Sequence, residues 1–282
     1  MTAFDKRLHP FREDLAAEYL RGKIEADRFT PGKRRQICSG HVPLRRLPDP
    51  TAPLDTELLF GETVQLYDER DGWSWVQSEV DGYVGYAESR MIAETLSIPT
   101  HSVIVPATYL YPEPDLKIAP IDWLPMTAIV NVCESTGKHC KLTSGGWIFS
   151  THLAPINTPA PDHCDVARMF LYSPYLWGGK TTAGIDCSGL LQVSLARCCK
   201  KISRDSDMQQ GAGWPVEYDG DNRVLQRGDL VFWRGHAGIW IDPQSFIHAS
   251  ATDMLVTIEQ LDDVAARIEA ASGDPILCVR RV

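Results

Sequence analysis

The sequence predicts an α+β protein assembled from unlike parts: a helical arm, two small antiparallel β-barrels, and a C-terminal domain in which helices precede a sheet. Three observations carry this prediction. Apolar residues recur at helical spacing near the N-terminus, and strand-sized apolar runs fill the middle. The last third then changes to two helix-like stretches followed by alternating strands. With 282 residues, 44% of them hydrophobic, the chain can bury more than one core.

Residues 1–37 are predicted to form the helical arm. Phe11, Leu15 and Tyr19 recur every four residues, and Leu20 and Ile24 extend the stripe. Residues 38–96 are predicted to form the first barrel. Runs such as "ELLFGETVQLYDE", "WSWVQSEV" and "GYVGYAE" are separated by Gly, Asp and Pro turn signals. Residues 97–157 repeat that order loosely, as a divergent second barrel: "HSVIVPATYLYPEP" echoes "GHVPLRRLPDP", and "GGWIFSTHLAPI" echoes "DGYVGYAESRMI". The proline-rich "APINTPAPD" reads as a linker into residues 158–282. There, Val166, Phe170 and Leu171 share a helical face, and "GLLQVSLARCC" forms a second helix with Leu191 and Leu195 inward. "GDLVFWRG", "HAGIWID" and "SFIHASA" alternate as three antiparallel strands. "TIEQLDDVAARIEA" reads as a late helix and "ILCVRRV" as a final strand.

The net charge of -9 and the lack of a basic stripe argue against nucleic acid or an anionic membrane as partner. No leader-type apolar segment follows the N-terminal basic residues, and no run is long enough to span a bilayer, so the expected location is cytoplasmic. The eight cysteines are then expected as reduced thiols. Cys133, His139 and Cys140 cluster but lack a second half at zinc-site spacing, so no metal and no cofactor is expected.

The chemistry concentrates in "YLWGGKTTAGIDCSGLLQ", Tyr175 to Gln192. The sequence places Cys187 at the first turn of a helix. Unpaired N–H groups and the helix dipole there favour a thiolate and can hold an oxyanion. Gly184 and Gly189 are expected to keep the approach open. A nucleophilic thiol needs a base. His236 opens one strand and His248 lies on the next, so the two imidazoles can stand side by side, with His248 orienting His236.

Taken together, "PYLWGG", "GIDCSGLLQ", "RDSDMQQ", "LQRGDLVFW", "HAGIWID" and "FIHASA" resemble the NlpC-type peptidases, papain-like cysteine peptidases that cleave cell-wall peptides. The resemblance covers about residues 164–260. "LLFGETVQL" and "DGYVGYAE" resemble the bacterial SH3-like modules found ahead of such peptidases. It implies a papain-like α+β catalytic domain behind two SH3-like barrels. Cys187 would be the nucleophile, His236 the base and His248 the orienting residue, with Tyr175 near the oxyanion and Trp177 lining the pocket. It further implies hydrolysis of the γ-D-glutamyl–diamino acid bond in murein peptides with a free N-terminal L-Ala. Asp186 would then bind the substrate ammonium in a pocket completed by Glu62 and Tyr83, with Ser206 beside it. Ser188 would touch the substrate or cap the helix, and Arg204 and Asp205 would brace their loop as an ion pair. Recycling of imported murein peptides fits that preference. Three other functions stay open: a cysteine amidase or acyl transferase acting on another amide, a non-catalytic cell-wall tethering module, and a toxin delivered to competitors by a signal-independent machine.

Overall fold

The structure, a computed structural model, describes residues 4–282. Contacts divide it into two compact units, Met1–Ile156 and Asn157–Val282. The whole is rich in sheet and poor in helix. No helix among the described residues is long and apolar enough to cross a membrane.

The expected helical arm is not a helix. Residues 4–37 contain no α-helix; Ala16–Ala17 pairs in parallel with Phe29–Thr30, Glu18–Leu20 is a single 3-10 turn, and Lys33–Ile37 is a strand. Pro10 and Pro31 remove backbone donors and Gly22 sits at φ 76°, so propensity opposes a continuous helix. The apolar repeat does not share one face either. Leu15 is buried with Trp75 and Val84, whereas Tyr19 is 48% exposed.

The first barrel is a seven-stranded antiparallel sheet with spatial order 54–59, 41–45, 84–88, 73–78, 63–70, 33–37 and 92–93. Its alternating residues Val42, Leu44, Val64 and Val76 point inward and close a core with Ile37, Leu58 and Tyr83. Residues 101–155 form short antiparallel strands in three small sheets. These surround a core of their own that includes Val103, Leu124, Val130, Leu142 and Ile148.

The C-terminal unit is α+β. Helix α1, His163–Arg168, is followed by α2, Cys187–Arg197, and the short α3, Ser206–Gln209. A six-stranded antiparallel sheet comes next, in the spatial order 214–216, 278–281, 230–233, 236–242, 245–250 and 255–259. Every residue of α2 from Cys187 to Leu195 is buried, so this helix lies inside the unit rather than on its surface. The late helix, α4, spans Leu261–Ser272; "TIE" before it is the end of an additional strand, Leu255–Glu259. β-branched Val256, Thr257 and Ile258 favour that extended form. Asp229 of "GDLVFW" is buried and takes both arms of the Arg281 fork, at 2.8 and 2.7 Å, which ties the final strand to the sheet.

Candidate active site

Cys187 is the first residue of α2, and Asp186 is its N-cap. The Asp186 side chain accepts from the Gly189 N–H at 2.6 Å and from the Gly178 N–H at 2.7 Å. One bond caps the helix and the other ties the 175–179 loop to it. Two glycines make the approach possible. A Cβ on Gly189 would lie 2.3 Å from the Gly179 carbonyl oxygen, and one on Gly184 would lie 2.4 Å from the Leu176 Cβ. Gly189 therefore lets the loop close onto the helix and Gly184 lets Leu176 close onto the strand before it, where an open approach was expected.

Arg204 completes the cap. It is 1% exposed and reaches Asp186 with both arms, Nη1 at 2.9 Å and Nη2 at 2.8 Å. Nη1 also donates to the Ser188 hydroxyl at 2.7 Å, and that hydroxyl donates to Asp186 at 3.2 Å. The Asp186 carboxylate thus takes five donors. That fills its lone-pair sites, so the side chain expected to meet a substrate ammonium is occupied by Arg204 and the cap. Ser188 is part of the same buried cluster. Arg204 pairs with Asp186, and Asp205 stands at the N-cap position of α3. Ser206 is the first residue of α3.

The thiol of Cys187 is 4.0 Å from the Gly235 carbonyl oxygen and takes a hydrogen bond from the Ala237 N–H, so it is bracketed by the neighbours of His236. His236 Nε2 is 2.8 Å from His248 Nδ1, with the rings edge to face. The register Ile239–Ile247 brings Gly238 opposite His248. A Cβ on Gly238 would lie 2.3 Å from the Phe246 ring and 2.9 Å from the His248 Cβ, so only glycine leaves room for them. Trp233 packs against His236 and Phe246 against His248, and these apolar walls dry the pair.

Electrostatics follow from that dryness. Burial, then the His248 and Arg267 charges, push His236 down to about 3; burial also lowers His248. Burial, then the adjacent Asp186 charge, pushes the Cys187 thiol up to about 12. The helix N-terminus was expected to lower it, and desolvation wins because the thiol is only 5% exposed. Burial thus favours the neutral form of the thiol and of both imidazoles. Tyr175 stands close enough for Cys187 and Asp186 to raise its phenol further above the ordinary value, after burial. Trp177, in the same loop, is 63% exposed.

Two residues join the line that sequence reasoning did not single out. Glu259 Oε2 is 2.8 Å from His248 Nε2, and Arg267 of α4 grips the same carboxylate at 2.7 and 2.8 Å. A signal existed. His248 pairs with Thr257, and Glu259 lies two residues along on the same sheet face. It was hidden because the "TIE" segment was read as helix. Glu62 and Tyr83 lie in the N-terminal unit. Both are buried: Glu62 accepts from the Leu59 N–H at 3.0 Å within its own turn, and Tyr83 packs in the first barrel's core.

Residues 44–92 match the bacterial dipeptidyl-peptidase SH3 domain family, and residues 172–268 match the NlpC/P60 family. The chain is 25% identical over 258 residues to a γ-D-glutamyl-L-lysine dipeptidyl-peptidase of Bacillus subtilis, covering 84% of this chain and 82% of that protein. It is 28% identical over 241 residues to dipeptidyl-peptidase 6 of Lysinibacillus sphaericus, covering 77% and 87%. The crystal structure of an NlpC/P60 family protein from Bacillus cereus superposes with a TM-score of 0.74 at 22% identity, over 88% of this chain and 99% of that one. That last likeness bears on the fold.

Proposed function

We propose that this chain, whose residues 44–92 match the bacterial dipeptidyl-peptidase SH3 domain and whose residues 172–268 match the NlpC/P60 family, is a cysteine peptidase that hydrolyses the γ-D-glutamyl–diamino acid bond of murein peptides with a free N-terminal L-Ala. One observation carries the chemistry: a buried thiol at a helix N-terminus, bracketed by the neighbours of His236, with His236 bonded to His248. His236 takes the thiol proton, and the Cys187 sulfur bonds to the scissile carbonyl carbon. The developing oxyanion is held by N–H groups at the start of α2. Collapse expels the amine, which takes its proton from His236. Water activated by the same imidazole then cleaves the thioester and restores the thiol.

The bond class is supported by the names of the relatives that span most of this chain. The free-amine preference rests on the family pattern at Glu62 and Tyr83. Such a preference would exclude sugar-linked stems, whose N-terminus is acylated, and suits recycling of murein peptides in the cytoplasm. The test is a mass-spectrometric digest of L-Ala-γ-D-Glu-diaminopimelate and its N-acetylated twin, with Cys187→Ala alongside. Release of L-Ala-D-Glu from the free peptide alone, and none by Cys187→Ala, is expected. Equal cleavage of both peptides would keep the peptidase and discard the amine preference. Undiminished activity in Cys187→Ala would remove the thiol mechanism.

A further inference from the structure

A base can serve Cys187 only if the ring nitrogen facing the thiol is unprotonated. A neutral imidazole carries its single proton on either nitrogen, and two bonded imidazoles can carry theirs in either of two orders. In one order both protons sit on Nε2, and His236 Nδ1 presents a lone pair. In the other both sit on Nδ1, and His236 offers the thiol an N–H that cannot accept its proton. The 2.8 Å contact between His236 Nε2 and His248 Nδ1 is satisfied equally by both orders. The pair alone therefore cannot choose.

Resting on the reading of Cys187 as nucleophile and His236 as base, we propose that Glu259, held by Arg267, is a positioning residue that sets the proton order of the whole line. An ionised carboxylate only accepts. At 2.8 Å from Glu259 Oε2, His248 Nε2 must carry its proton, so His248 Nδ1 is an acceptor and His236 Nε2 a donor. That leaves His236 Nδ1 free to take a proton from Cys187. Arg267 keeps the carboxylate in its accepting form by bonding both oxygens; with His248 it holds Glu259 down to about 2. The titratable and charged groups that face this line can be named. His248 faces Glu259 from the neighbouring strand, Arg267 from α4 and Asp253 from the turn; Cys187 faces Asp186 and Arg204. Among the described residues, Glu259 is the ionised side chain bonded to a ring nitrogen of the pair.

Thiol alkylation tests this without a peptide substrate, so its outcome is separate from that of the peptide digest. Iodoacetamide is applied to the full-length protein and its Glu259→Gln and Glu259→Asp variants between about pH 5 and about pH 8, the range in which histidine ordinarily titrates. Modification of Cys187 is followed by peptide mass spectrometry, which separates it from the other cysteines. A glutamine can present either its oxygen or its NH2 to His248 and so admits the wrong order. Glu259→Gln is expected to slow Cys187 alkylation about tenfold to a hundredfold at neutral pH. This is less than the ~10⁴ lost when a carboxylate bonded directly to a catalytic histidine is neutralised. Glu259→Asp is expected to recover part of the rate. Identical rates and pH dependence in the parent and Glu259→Gln would overturn the proposal. Should Glu259→Gln fail to fold, nitrogen NMR of the histidines in the parent protein decides. A proton on Nε2 of both His236 and His248 is expected, and one on Nδ1 of either overturns it.

Discussion

His236 and His248 are neutral because the fold dries them, and that has a consequence for stability. Both have pKa values below the unfolded value of about 6.5, so in acid the unfolded chain binds protons that the folded chain refuses. Their full contribution is present above that value and is lost as pH falls toward the His236 value of about 3. Unfolding midpoints in urea are therefore expected to drop between neutral pH and about pH 4.5, by at most about 1.4 kcal/mol per pH unit for each group. His236→Asn should flatten that slope. A midpoint indifferent to pH over this range in the parent protein would mean that the imidazoles are not desolvated. The Cys187 thiol carries the matching lesson. Its position at a helix start was legible in "GIDCSG", but the sign of its pKa shift was not, because burial is a property of everything packed around it.

The N-terminus of α2 is built as one piece with two loops. Asp186 caps the helix, Gly178 and Gly179 press against it, and Arg204 neutralises it from inside. Removing one partner of a buried pair leaves the other charged and unsolvated. Arg204→Met should accordingly cost about 3–5 kcal/mol of unfolding free energy. Arg204→Lys should cost less but still be harmful, since an ammonium cannot reproduce the fork. Equal stability of Arg204→Met and the parent in urea titration would show that Asp186 is not the buried carboxylate described here. The sequence showed this element only in part. The cap, the cysteine and the glycines lie within a few residues of each other and could be read locally. The Arg204 partner lies 18 residues on, where nothing local distinguishes it from a surface arginine. The arm fails for a related reason: a stripe of apolar residues at spacing four is a helix only when the backbone between them can be helical.

At the scale of the molecule, two units with separate cores share one chain. Under the proposed function, catalysis belongs to residues 157–282 and the choice of a free amine depends on the first barrel. Glu62→Gln or Tyr83→Phe should lower the ratio of free to acetylated peptide cleavage about tenfold to a hundredfold, the worth of a charge-assisted hydrogen bond. Alkylation of Cys187 should be unchanged. An unaltered ratio in both variants would assign amine recognition elsewhere.

By itself the sequence determined the α+β class of the C-terminal domain and an SH3-like barrel ahead of it, though not that strand 33–37 belongs to that barrel, and it singled out Cys187, His236 and His248 as candidates. Each of these rests on local rules: strand alternation, turn glycines and a helix start. Tertiary structure alone decided that Asp186 is bonded to Arg204, that Glu259 and Arg267 extend the histidine line, and that burial raises the thiol's pKa. Those outcomes depend on which side chains from distant segments meet in a space closed to water. There a single neighbouring carboxylate sets where a proton sits, and no local pattern records it.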